Sequence, residues 1–141
     1  SGTDRALGEA EALQAAARRT LGDPALTLTV LDPLIERTGP AAAEDTRFHY
    51  VVETDVEEQH ERELNASYDT EHLPGLAAVP GAARARRFRN LRHSPRYYAC
   101  YDLVAPDVLE RREWLAVRGT EWSSRVRPNF RNPKRTMFEK A

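Results

Sequence analysis

Cysteine occurs only once in this 141-residue chain, at Cys100, so an internal disulfide is excluded. Charge of one sign is lacking as well: 21 Lys and Arg stand against 22 Asp and Glu, a formal net charge of −1, and the arginines are interspersed with acids. Such a chain presents no broad basic field, and nucleic acid is not an expected partner. No apolar run is long and uninterrupted enough to span a bilayer and none has the layout of a secretory leader, so no membrane partner is expected and the cytoplasm is the simplest address. The G-x-G-x-x-G, P-loop, C-x-x-C and G-x-S-x-G motifs are all missing, which disfavours dinucleotide, nucleotide, iron–sulfur and serine-hydrolase chemistry. Glu57 and His60 have the helical spacing of a carboxylate–imidazole pair, but without a second such pair they read as a solvated face, and no metal is expected.

What is present suits one modest core, since 40% of the residues are hydrophobic. Over residues 4–21, Leu7, Ala10, Leu13, Ala17 and Leu21 recur at three- and four-residue steps. Arg18 and Arg19 lie near the end and Gly22 stops the run, which predicts an amphipathic helix. Residues 26–31 alternate and are β-rich, predicting a short strand before an Asp32-Pro33 turn, and residues 39–45 read as a linker. Residues 1–45 thus form an N-terminal helix, strand and linker, ahead of a domain over 46–141.

That domain opens with a strand over 48–54, then Asp55 as a helix N-cap with Glu57 and Glu58 in the first turn. The helix carries Leu64, Tyr68, Leu73 and Leu76, with a break expected at Pro74-Gly75. Strands follow over 84–89 and 97–103, joined by a polar turn, then a helical region with Trp114 and Trp122, then a last strand over 134–139. The order β-α-β-β-α-β is that of a ferredoxin-like α+β fold with a four-stranded antiparallel sheet.

Residues 65–88 are the most specific stretch. An acidic helix runs into Tyr68-Asp69-Thr70-Glu71-His72-Leu73-Pro74, then Val79-Pro80-Gly81 and an arginine-rich strand. This passage resembles the dimeric α/β-barrel superfamily, of the EthD, antibiotic-monooxygenase and polyketide-cyclase types, over about residues 48–139. The resemblance implies a homodimer pairing sheet against sheet. It also implies a small-molecule ligand, aromatic or anionic, and for many members chemistry without a cofactor; haem-dependent members also exist.

His72 is the first candidate for that chemistry, because imidazole titrates near neutrality and lies one helical turn after Tyr68. Asp69, three residues earlier, is placed to orient the ring, so Tyr68, Asp69 and His72 form a candidate acid/base unit. The plainer reading has His72 capping a carbonyl freed by Pro74. Arg84, Arg86 and Arg87 alternate across a strand, so at least one leaves the water. Its partner is either an internal carboxylate such as Glu53 or Asp102, or an anionic ligand.

Arg86, Tyr98, Tyr101 and Trp122 are the candidate substrate contacts. The function expected is a cofactor-independent monooxygenase, isomerase or cyclase acting on a small aromatic or polyketide-like metabolite. The alternatives are a non-catalytic binding dimer and a haem protein with His72 or His49 as axial ligand. The dimer expectation rests on apolar alternation, with Phe48, Tyr50, Tyr97, Ala99 and Tyr101, or their alternates, on the sheet face away from the helices.

Overall fold

A computed structural model describes residues 2–141. After helix α1 (Gly2–Leu21) come strands β1 (Leu31–Thr38) and β2 (Phe48–Val56), then a long helical passage made of α2 (Glu58–Ser67), a π-helical turn (Tyr68–His72) and α3 (Leu73–Ala77). Strands β3 (Ala82–Asn90) and β4 (Tyr97–Leu103) follow, then helices α4 (Arg112–Arg118) and α5 (Glu121–Val126), and strand β5 (Phe130–Glu139). The strands form one five-stranded antiparallel sheet in the order β1-β3-β4-β2-β5. Its last four members have ferredoxin-like topology, and β1 adds to the free edge of β3.

Strand alternation decides which side chains meet the helices. Val52, Ala85, Tyr97, Ala99, Tyr101 and Leu103 are buried together with Leu64, Leu73, Leu76, Val108, Trp114 and Val126 in one core. Phe48 and Tyr50 pack against the same core. Of the two alternating sets left open for the side away from the helices, the one with Phe48, Tyr50, Tyr97, Ala99 and Tyr101 therefore faces the helices. Its alternates His49, Val51, Tyr98, Cys100 and Asp102 lie on the open face, where His49 Nδ1 is 2.8 Å from Asp102 Oδ1. Asp102 also holds Arg84 at 3.4 Å and Arg86 at 3.8 Å.

Four expectations are corrected. The N-terminal strand begins at Leu31, not Leu26, because its register is set by β3, with Leu31 opposite Asn90 and an irregularity after Pro33, which an edge strand tolerates. Residues 26–28 are tied to α1 instead, through Leu28 N–H to Gln14 Oε1 at 2.9 Å and Arg18 Nε to the Leu26 carbonyl at 2.7 Å. Asp55 does not cap α2. It lies in β2 and accepts hydrogen bonds from the Ser94 hydroxyl and from Arg96 N–H.

Nor does the helix break at Pro74-Gly75. The residues flanking the π turn, Ser67 and Leu73, and His72 within it all keep right-handed helical angles, and Leu73 N–H bonds the Tyr68 carbonyl five residues back. Proline removes a donor and its ring presses on the carbonyl four residues earlier, and the wider turn just before it relieves both conflicts. Gly75 serves close helix packing: a Cβ there would come within 3.0 Å of Val117.

The 39–45 segment is no slack linker. Gly39 N–H bonds the Ala83 carbonyl at 2.8 Å, Ala41 N–H bonds that of Ala82 at 3.0 Å, and Ala41 is fully buried. A Cβ on Gly39 would sit 2.2 Å from the Ala77 carbonyl oxygen and 2.3 Å from that of Ala82, both backbone atoms without freedom to rotate away. Gly39→Ala is therefore expected to destabilise the protein by about 1–3 kcal/mol, as overpacking does. Thermal denaturation checks this, and an unchanged melting temperature would show that the turn has room to shift.

Candidate functional site

The helix-facing side of β2, β4 and β5 and the two helical layers leave a cleft between them, lined by aromatic side chains, His72, Ser123 and arginines. Local structure explains how the polar groups arrive there. Thr120 caps α5 by accepting Ser123 N–H at 3.2 Å, which fixes the first turn of that short helix and aims the Ser123 side chain inward. Ser123 Oγ lies 2.9 Å from His72 Nδ1. A hydroxyl both donates and accepts, so either neutral tautomer of His72 is supported, and Nε2 is the ring nitrogen left for a ligand.

The π turn aligns Tyr68 with His72, their ring centroids 4.8 Å apart edge to face. By winding more residues into the turn it also rotates Asp69 away from the imidazole. Asp69 is about half exposed and sits 3.6 Å from Arg87, so the predicted Asp69–His72 contact is absent and Ser123 takes its place. The plainer reading, a cap on a carbonyl freed by Pro74, is likewise not what His72 does: its ring bonds Ser123.

Of the arginines on β3, Arg87 is the one that leaves water, at 2% exposure. It donates to Asn65 Oδ1 at 2.6 Å and is sandwiched between the rings of Tyr68 and Tyr97 at 4.7 and 4.6 Å. It backs the cleft through Tyr68 without lining it. Arg86, the predicted substrate contact, points to the opposite face of the sheet beside Asp102 and Phe88. Tyr98 is on that face too, where burial and the neighbouring Glu53 push its phenol up to about 12. Trp122 packs against the core without lining the cleft, its indole N–H buried and unpartnered among the described residues. Of the predicted site residues the cleft thus brings together Tyr68, His72 and Tyr101.

Sequence reasoning missed Ser123, Arg118, Arg127 and Arg135 as lining residues. A faint signal existed: Arg118 follows Trp114, and Arg127 follows Ser123, by four residues, the spacing that puts two side chains on one helix face.

Burial is the main cause that lowers the His72 pKa from 6.5 to about 4, and the positive charges of Arg127, Arg118 and Arg87 add to it. The imidazole is neutral throughout the physiological range. Burial also raises the pKa values of Tyr68 and Tyr101, which stay protonated as hydrogen-bond donors, and that of Tyr50, where nearby Arg135 opposes the shift. The free interior of the cleft is about 40 Å³. At roughly 10–15 Å³ per water that is room for a few waters, so an organic ligand must displace side chains at the rim.

No protein-family profile matches the sequence, and no curated protein is found to be similar to it. Solved structures do resemble it in fold. A candidate monooxygenase of Fusobacterium nucleatum superposes with a TM-score of 0.66 at 12% identity, over 89% of this chain and 57% of that one. An anthrone oxidase-like protein gives 0.56 at 17% identity, over 81% of this chain and 55% of that one. A major regulator of staphylococcal pathogenesis gives 0.56 at 10% identity, over 85% and 73%. This chain spans little more than half the length of the first two. At such identities the likeness is one of fold: the chain has the ferredoxin-like α+β architecture of these proteins.

Proposed function

We propose that this chain is a cofactor-independent oxygenase of a small aromatic substrate whose reacting C–H is acidified by a carbonyl conjugated with it, and that it works as a homodimer. The observation that carries the reading is a neutral imidazole, His72, in a cleft where phenols and guanidiniums are directed at the same space. A base with a low pKa is weak in isolation. Here the positive field that disfavours imidazolium also favours the enolate formed when the substrate loses its proton, so the imidazolium–enolate pair benefits as a unit. Tyr68 and Tyr101 supply hydrogen bonds to the developing oxyanion.

For an anthrone, taken because one structural neighbour is anthrone oxidase-like, the steps balance as follows. His72 takes one of the two hydrogens at the reacting carbon as a proton, and the enolate gives one electron to dioxygen. The resulting radical pair joins as a peroxide, which His72 reprotonates. Loss of the second C–H proton with the distal hydroxide leaves the quinone, so that anthrone and dioxygen yield anthraquinone and water.

Anthrone oxidation on an oxygen electrode, with chelator present and no added flavin, tests this. The expected result is enzyme-dependent uptake of one dioxygen per anthraquinone formed. Uptake no faster than in buffer, with saturable binding, would leave a binding protein; a Soret band acquired with hemin and lost in His72→Ala would replace the reading with a haem one. Support for the dimer comes from the helix-free face of the sheet, where Phe138 is about half exposed and Phe88 part-buried among the charges. Light scattering is expected to give twice the 16.0 kDa chain mass, and a monomer at micromolar concentration would sink the dimer.

A further inference from the structure

The cleft is lined by three arginines and no carboxylate, in a chain whose acids and bases are otherwise nearly equal in number. Arg118 comes from the last turn of α4, Arg127 from just after α5, and Arg135 from β5, so three separate elements deliver guanidiniums to one opening. Elsewhere Arg84, Arg86, Arg89, Arg96, Arg125 and Arg131 each have a carboxylate within 4 Å, while Arg18, Arg37 and Arg92 bond neutral oxygens. Among the described residues Arg118, Arg127 and Arg135 form no such pair. Arg127 instead donates to the Arg118 backbone carbonyl, and its own pKa is lowered by burial and then by the charges of Arg118 and Arg135. Like charges crowded at an aromatic cleft are an unneutralised arrangement, and a ligand anion relieves it.

We infer that the ligand of this cleft is an aromatic carboxylate, its ring against Tyr50, Trp114 and Phe130 and its carboxylate held at the mouth by Arg118, Arg127 and Arg135. This rests on the proposal that the cleft is the substrate site and adds the class of substrate. Because the interior is small, the guanidiniums are also the groups that must move as the ring enters. A carboxylate that draws them outward onto itself both opens the cleft and neutralises it.

The test uses 2-naphthoate and 2-naphthamide, which share shape and differ in charge, titrated calorimetrically into the intact protein without turnover. Naphthoate is expected to bind about tenfold or more tightly, with affinity falling as salt rises. The preference should shrink to within about threefold in Arg127→Gln. Arg135→Gln, a change at an exposed strand position, carries the same direction of effect should Arg127→Gln fail to fold. Bound naphthoate should shift the His72 ring resonance, assigned by its loss in His72→Gln. Equal affinities, a preference that survives in Arg118→Gln/Arg127→Gln/Arg135→Gln, an unmoved His72 resonance, or no binding of either compound at millimolar concentration would each overturn the inference. Because no oxygen chemistry enters the measurement, failure of the oxygenase reading alone leaves the charge preference standing.

Discussion

His72→Ala is expected to lower turnover by about 10²–10⁴ while leaving ligand affinity within roughly tenfold, since general acid–base catalysis acts on the transition state. The geometry predicts how neighbours rank below it. Ser123→Ala removes the 2.9 Å contact that holds the ring and should cost less, because the imidazole remains. Asp69→Asn should leave turnover near wild type: Asp69 faces Arg87 and water, and its carboxylate does not touch the imidazole. An Asp69→Asn variant as impaired as His72→Ala would contradict the structure directly. A His72→Ala protein with a lowered melting temperature but normal turnover per folded molecule would make His72 a packing residue and remove its catalytic role.

The order of elements was legible because it depends on signals that act locally. Alternation in residues 48–54 and 97–103, the stops at Pro80-Gly81 and the helical spacing from Leu64 to Leu76 each follow from the geometry of one element. The face of each strand was not legible, because Phe48, Tyr50 and Tyr101 alternate with Val51, Cys100 and Phe88, and both sets are apolar enough for burial. The π turn was hidden for a different reason. It moves backbone hydrogen bonding from four residues back to five, as in Leu73 N–H to the Tyr68 carbonyl, and its only trace in the sequence is Pro74, which serves equally for a kink. That one shift decided the site: α-helical spacing puts Asp69 near His72, whereas the wider turn sends it to Arg87 and lets Ser123, 51 residues away, take the ring nitrogen. The arginine rim was beyond local reading altogether, since Arg118, Arg127 and Arg135 meet only when α4, the end of α5 and β5 come together.

Acid should weaken the fold through His72, and the sign follows from where its proton goes. In the unfolded chain the imidazole titrates near 6.5, whereas in the folded protein burial and then Arg127, Arg118 and Arg87 hold it at about 4. Between those values the unfolded state binds a proton that the folded state refuses, so the contribution to stability is intact above pH 6.5 and is lost as pH falls toward 4. A depression of this size corresponds to about 3 kcal/mol at most, and less where solvent reaches the ring edge. The charged groups facing the ring from α4, from the turn after α5 and from β3 are all arginines, so no acidic neighbour among them offsets the effect as pH falls. His72→Gln keeps a polar side chain that does not titrate, and comparing it with wild type removes the contribution of every other group. Urea unfolding at pH 7 and pH 4.5 should show wild type losing about 2 kcal/mol more than His72→Gln, with the same dependence on urea. Parallel losses in the two proteins would mean that His72 takes up its proton as an exposed histidine does, and the neutral base that the proposed chemistry requires would then be protonated over much of the weakly acidic range.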